Sequence, residues 1–193
     1  MADKIIPRWE WRTFGEEFPA FAQTLKKYGE PSVKKSEEHY ILSRASDENI
    51  KIREDLVDVK SLKNVKDNLE QWDPIMKEGF PISPDKLVSL FKIFNVSVPR
   101  FGRSSYSYEQ FLDELIVPNP ELEVVYVKKV RYIYTINGCA VELAETQFNG
   151  KPYQTACIEH IDPATVLATV KELGLQGHEN INYIKAMKKS VGM

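Results

Sequence analysis

Apolar and polar residues alternate with a period of two over much of this chain, and between the alternating runs the apolar spacing changes to the three-and-four of a helix. The alternating stretches are Pro7 to Phe14, His39 to Ser43, Asn49 to Glu54, Leu56 to Leu62, Asn68 to Met76, Leu122 to Ile136, Cys139 to Phe148 and Pro152 to Ile161. They predict about eight strands, and the short polar turns between most of them predict antiparallel pairing. Asn137-Gly138 suits a two-residue hairpin turn, which needs positive φ at both positions; Asn149-Gly150 repeats it, so the last three strands form a meander. Helical spacing links Phe18, Phe21, Ala22, Leu25 and Tyr28 and stops at Gly29. Ser83-Pro84 opens a helix carrying Leu87, Leu90, Phe91 and Phe94. Ser107 with Gln110 makes a capping box ahead of Phe111, Leu112 and Leu115. Asp162-Pro163 opens a fourth helix with Val166, Leu167, Val170 and Leu173, ended by Gly174, and a short fifth piece holds Ile184 and Met187. Pro99 to Ser107, rich in Ser, Gly and Arg, predicts a mobile loop.

Residues two apart in a strand share a face, and on that basis the charges sort themselves. Arg8, Glu10 and Arg12 lie opposite Trp9 and Trp11; Lys51 and Arg53 opposite Ile50 and Ile52; Asp58 and Lys60 opposite Val57 and Val59. Lys129 and Arg131 lie opposite Val130 and Tyr132, Glu142 opposite Val141 and Leu143, and Glu159 opposite Ile158. Two architectures produce this pattern. One is an open sheet with its polar side in water and helices under the other side. The other is a closed sheet with the charges inside, a lined and hydrated cavity because so many charges cannot be buried dry. The distribution favours closure: cations dominate the middle and later strands, whereas carboxylates sit on the first and the last two, which closure brings together. The expected fold is therefore α+β, a closed or nearly closed eight-stranded antiparallel β-tunnel with helices packed outside, forming one domain over residues 1–193.

The 193 residues are 42 % hydrophobic, enough for a buried core. The formal charge of −2 gives no global electrostatic basis for a nucleic-acid or membrane partner, so any anion site must be local. No apolar run approaches the ~20 residues that span a bilayer. Met1 to Pro7 has no extended apolar segment of the signal-peptide kind, and a cytoplasmic location is expected. Cys139 and Cys157 lack metal-ligand spacing and read as buried free thiols; His39, His160 and His178 are scattered. There is no Walker-type glycine loop and no readable nucleophilic triad, and nothing in the pattern specifies an oligomer.

The charged positions resemble those of the CYTH superfamily, the triphosphate tunnel metalloenzymes, over nearly the whole chain. That family includes thiamine triphosphatases, tripolyphosphatases, class IV adenylyl cyclases and RNA triphosphatases. Arg8-Trp9-Glu10-Trp11-Arg12 occupies the place of its opening Glu-x-Glu-x-Lys strand. Lys51-Ile52-Arg53 resembles its basic third strand, and Val57-Asp58-Val59-Lys60 the strand that follows. Lys129-Val130-Arg131, with Tyr134 after it, resembles a later Lys-x-Arg strand; Glu142 and Glu159 resemble the carboxylates of the last two strands, and Tyr183-Ile184-Lys185 the C-terminal turn. Two departures stand out. Arg8 replaces the first glutamate of the opening motif, and Glu159-His160-Ile161 lacks a second acid two places on. The segments Gln71 to Pro81 and Pro99 to Asn119 match no one characterised subgroup, and the likeness is to a separate bacterial branch.

The resemblance implies a metal-dependent hydrolase acting on a small phosphorylated anion, tripolyphosphate or a nucleoside triphosphate. Glu10, Lys51, Arg53, Lys129 and Arg131 are the expected catalytic residues. Phosphate contacts are expected from those four cations together with Lys60, Arg8, Arg12 and Lys185. Glu10, Glu142 and Glu159 are expected to hold Mg²⁺ or Mn²⁺, whose preference is for oxygen donors. Two other readings stay open: a non-catalytic polyphosphate- or nucleotide-binding module in which Arg8 displaces the metal, and an interaction domain with no ligand. For each carboxylate the competing role is a cross-strand ion pair.

Overall fold

A computed structural model describes residues 6–193; of the opening stretch read above for a signal segment, residues 1–5 lie outside it. Eight strands hydrogen-bond in a closed antiparallel ring of order β1-β5-β4-β3-β2-β6-β7-β8. They are β1 (Trp9–Gly15), β2 (Ser32–Ser43), β3 (Asn49–Arg53), β4 (Leu56–Lys66), β5 (Leu69–Gly79), β6 (Leu122–Ile136), β7 (Cys139–Phe148) and β8 (Lys151–His160). The helices are α1 (Pro19–Leu25), α2 (Pro84–Phe94), α3 (Tyr108–Phe111), α4 (Pro163–Glu172) and α5 (Tyr183–Val191). This is the tunnel architecture expected from the strand faces. None of the described helices is long and apolar enough to cross a membrane.

Turn chemistry sets the hairpins. Asn137 and Gly138 have φ of 54° and 76°, and Asn149 and Gly150 have 50° and 84°, as the two-residue turns require. Glu54-Asp55 and Asp67-Asn68 also adopt positive φ at both positions, although neither contains glycine. Register then follows: β7 meets β8 with Val141 opposite Ile158 and Glu142 opposite Cys157, and β8 meets β1 with Cys157 opposite Arg12 and Glu159 opposite Glu10.

The chain packs as two compact units. One comprises the described residues up to Ser36 with Leu62–Asp73 and Lys128–Asn182; the other comprises Glu37–Ser61, Pro74–Val127 and Tyr183–Met193. In the first, Trp11, Val141 and Ile158 of the sheet are buried with Phe21 and Leu25 of α1 and Val166 and Val170 of α4. In the second, Ile50, Ile52, Val57 and Val59 are buried with Leu87, Leu90, Phe91 and Phe94 of α2 and Phe111 of α3. Both cores use the apolar face of the alternating strands and leave the opposite face to the charged residues.

The capping box at Ser107 and Gln110 forms in full, and Asp162 accepts from the backbone N–H groups of Ala164 and Thr165. Ser83 starts α2 through its extended backbone alone, with no side-chain cap bond. Leu167 is 37 % exposed, at the edge of the α4 stripe instead of within it. The Pro99 to Ser107 segment is irregular, but it is tied down by paired backbone bonds between Tyr106 and Ile82 and by an Arg103–Glu114 ion pair. The largest departure is β2, which begins at Ser32 and not at His39. Its first half, Ser32 to Glu37, is polar except for the exposed Val33 and so shows no hydrophobic alternation.

Candidate functional site

Antiparallel pairing puts directly opposed residues on the same side of a sheet, so register alone assembles two rows of charge in the first unit. One row is Glu70, Glu10 and Glu159 across β5, β1 and β8; the next is Arg12, Cys157 and Glu142 across β1, β8 and β7. Arg12 is buried and ties the rows together: its Nε donates to Glu10 Oε1 at 2.8 Å, and its Nη1 to Glu142 Oε1 at 3.4 Å and to Thr155 Oγ1 at 3.3 Å. Arg131 on β6 grips the other oxygen of Glu142, with Nε at 2.6 Å and Nη2 at 2.5 Å. Lys129, two residues before it on the same face, is also buried.

Glu142 and Glu159 differ in state for identifiable reasons. Burial alone would raise Glu142, but the guanidiniums of Arg12 and Arg131 outweigh it and hold the carboxyl below its usual range. Glu159 is pushed up to about 7, first by burial and then by the negative charge of Glu10 beside it, with Arg12 only partly compensating. Cys157 is raised well above an ordinary thiol by burial, against the pull of Arg12, and is protonated. Glu10 and Glu159 thus form an acid pair in which Arg12, bonded to Glu10, only partly offsets burial and repulsion at Glu159. Arg8, 57 % exposed at its side chain, reaches Glu159 only at 3.9 Å.

The stretch Asn180 to Asn182 holds the β1 and β5 side of this site. β1 pairs with β5 at Trp9 and Glu10; beyond that, Asn180 Oδ1 accepts from Arg12 N at 2.8 Å, and Ile181 N donates to Arg12 O at 2.7 Å. Asn182, itself buried, donates to both carboxylate oxygens of Glu70 at 3.1 and 3.0 Å.

The second unit carries the other cations. Lys51 opposes Asp58 across β3 and β4 and lies 3.8 Å from it; Lys60 opposes Asn49 on the same side. Glu38, buried on β2, lies 3.6 Å from Arg53 and 3.9 Å from Lys51. Burial lowers the Lys51 pKa, and Glu38 and Asp58 only partly restore it. Lys185 is exposed on α5.

Of the positions singled out from sequence, Glu10, Arg12, Arg131, Glu142 and Glu159 meet in one network in the first unit, and Lys51 and Arg53 meet through Glu38 in the second. Sequence reasoning passed over four residues. Cys157 stands two before Glu159 and so shares its face, a signal that was available. Glu70 needed the β1–β5 register, Thr155 the Arg12 contact, and Glu38 the unrecognised half of β2. The cysteines are both free; Cys139 lies in the apolar core, on the face opposite to that of Cys157.

Among the described residues the cluster of metal-type donors is Glu10, Cys157 and Glu159, whose ligand atoms lie within 4.8 Å of one another. A divalent ion of the Mg²⁺ or Mn²⁺ type fits this set, since such ions bind through one or two carboxylates and complete their shell with water or phosphate oxygen. Glu10 and Glu159 supply those carboxylates; the protonated thiol adds little. Glu142 is differently placed, with both oxygens engaged by guanidiniums.

The fold is shared with solved structures of low sequence identity. A candidate adenylyl cyclase from Hippeastrum, described as having a dominant triphosphatase activity, matches with a TM-score of 0.53 at 14 % identity, over 95 % of this chain and 96 % of its own. A conserved hypothetical protein from Pyrococcus furiosus matches with a TM-score of 0.52 at 16 % identity, over 92 % and 98 %. A candidate adenylate cyclase from Bacillus halodurans matches with a TM-score of 0.50 at 13 % identity, over 94 % and 98 %. No family model matches the sequence, and no curated protein does. At such identities the likeness establishes the fold alone: the chain has the CYTH-type tunnel fold, and the resemblance drawn from its strand faces holds at that level.

Proposed function

We propose that the charged face of the first unit holds the terminal phosphates of a linear polyphosphate, tripolyphosphate or a nucleoside triphosphate, and that the protein hydrolyses the terminal anhydride with a divalent metal at Glu10 and Glu159. The observation that carries this reading is the Glu10–Glu159 acid pair, in which burial and the neighbouring charge outweigh Arg12 at Glu159, standing beside guanidiniums that are already fixed in place. The triphosphatase activity described for the Hippeastrum protein supports the choice of substrate class.

Phosphoryl transfer asks little covalent chemistry of a protein; it asks for cations on the non-bridging oxygens and a positioned water. Arg12, Lys129 and Arg131 of the first unit would neutralise those oxygens, with Arg8 as an outer contact; in the second unit Lys51, Arg53 and Lys60, with Lys185 outside them, are the proposed phosphate contacts. Glu142 would act as a positioning residue, holding Arg12 and Arg131 apart and aimed. A Mg²⁺ or Mn²⁺ held by Glu10 and Glu159 would supply neutralisation of phosphate charge. Glu10, steered by Arg12, would orient the water whose oxygen bonds to the terminal phosphorus as the P–O bond to the bridging oxygen breaks. The leaving group is the shortened phosphate chain, and the water's proton passes to solvent.

Incubating the protein with Mg²⁺ or Mn²⁺ and a panel of triphosphates is expected to release orthophosphate, and Glu10→Gln to reduce the rate at least about a hundredfold, the scale of losing one electrostatic element of such a site. A second reading, anion binding without turnover, is favoured by the engagement of Glu10 and Glu142 with Arg12. Tight metal-independent binding in calorimetry, with no phosphate released across the panel, would establish it in place of the first.

A further inference from the structure

Besides Asp58, the second unit holds a buried carboxylate on a face otherwise suited to collecting anions. Glu38 is 3 % exposed, and its Oε1 contacts Arg53 Nη1 at 3.6 Å and Lys51 Nζ at 3.9 Å. Desolvating a carboxylate is costly, and an apolar residue at this position would avoid that cost. Anchoring Lys51 alone does not require it, because Asp58 is 3.8 Å from the same amine. Arg53 is 45 % exposed at its side chain, so water could satisfy its guanidinium without a buried partner. What Glu38 adds is a negative charge held against both cations at once.

We propose that Glu38 is an internal counter-anion: in the ligand-free protein it occupies the place on Lys51 and Arg53 that a phosphate group takes, so that polyphosphate binding is an exchange of one anion for another. This rests on the phosphate-binding reading of Lys51 and Arg53 given above. The consequence is selection by length. Orthophosphate offers these two cations little more than the carboxylate already does, whereas a triphosphate reaches further cations and displaces it. Glu38 therefore disfavours short anions, retaining the long substrate and easing release of the short product.

The test is Glu38→Gln, which keeps the side-chain shape and one acceptor oxygen while removing the charge. In metal-free calorimetry near neutral pH, removing one unit charge from beside two cations should tighten binding of inorganic tripolyphosphate roughly tenfold. Orthophosphate should gain at least as large a factor, so that the variant discriminates less between the two. A purely structural role predicts the opposite sign, since loosened Lys51 and Arg53 would bind both anions more weakly. Equal or weaker tripolyphosphate affinity in the folded variant overturns the assignment. Glu38→Asp, which draws the charge back by one methylene, should show a smaller gain of the same sign and carries the test if Glu38→Gln does not fold. If the wild type binds tripolyphosphate and the variants bind it no better, Glu38 loses its role while the phosphate site stands. If wild type and variants alike ignore tripolyphosphate, the phosphate reading falls and the role of Glu38 with it.

Discussion

Glu159 holds its proton more tightly in the folded protein than in the unfolded chain, because burial and the charge of Glu10 push its carboxyl from 4.5 to about 7. A raised folded-state pKa contributes stability that is fully present below the unfolded value and is lost as pH rises through the folded one. The window is therefore about pH 4.5 to 7. Glu159→Gln mimics the protonated state at every pH. Without metal it should match the wild type below this window and exceed it above by ~1–2 kcal/mol, after allowing for partial solvent screening. Melting temperatures of the two proteins across the range would show it, and parallel curves would sink the idea. Added Mn²⁺ should close the gap by stabilising the wild type alone. Glu142 titrates in the opposite sense: its depressed pKa contributes stability that is lost on acidification, so only the difference between the two proteins isolates Glu159.

At the scale of elements, the short Asn180–Ile181–Asn182 stretch takes over the edge of β1 where β5 leaves it, giving backbone and side-chain partners to Arg12 and Glu70. Asn182→Ala removes both bonds to Glu70 in a buried setting and should cost about 1–3 kcal/mol. Urea unfolding measures that loss, and a change of only a few tenths would mean that the stretch does not secure the strand. β2 explains why the first half of one predicted strand was missed. Hydrophobic alternation marks a strand only where one face is buried in apolar surroundings. From Ser32 to Glu37 neither face meets that condition, whereas β6 and β7 lie over apolar cores for much of their length and have the bounds that alternation predicts.

At the scale of the whole molecule, the cations and carboxylates are largely matched in advance: Arg12 and Arg131 with Glu142, and Lys51 and Arg53 with Glu38. A ligand that exchanges into such a system binds the folded protein only, and so raises its melting temperature in proportion to the logarithm of its concentration. Tripolyphosphate is expected to do this, more at low than at high ionic strength because exposed charge is screened, and orthophosphate much less. A melting temperature indifferent to every phosphate compound would instead favour an interaction domain with no such ligand.

The sequence by itself determined the two faces of the strands, the helix caps at Ser107 and Asp162 and the tight turns at Asn137 and Asn149, because periodicity and turn geometry are local properties of the chain; closure of the sheet it favoured without deciding. Only the tertiary structure decided the pairings. Arg12 and Glu142 lie 130 positions apart, and nothing local to either says they will share a bond. Nor does anything near Glu159 say that it will be buried opposite Glu10 and its pKa raised to about 7. Ion pairing and proton affinity depend on distance and burial in space, and in this fold both are set by which strands become neighbours.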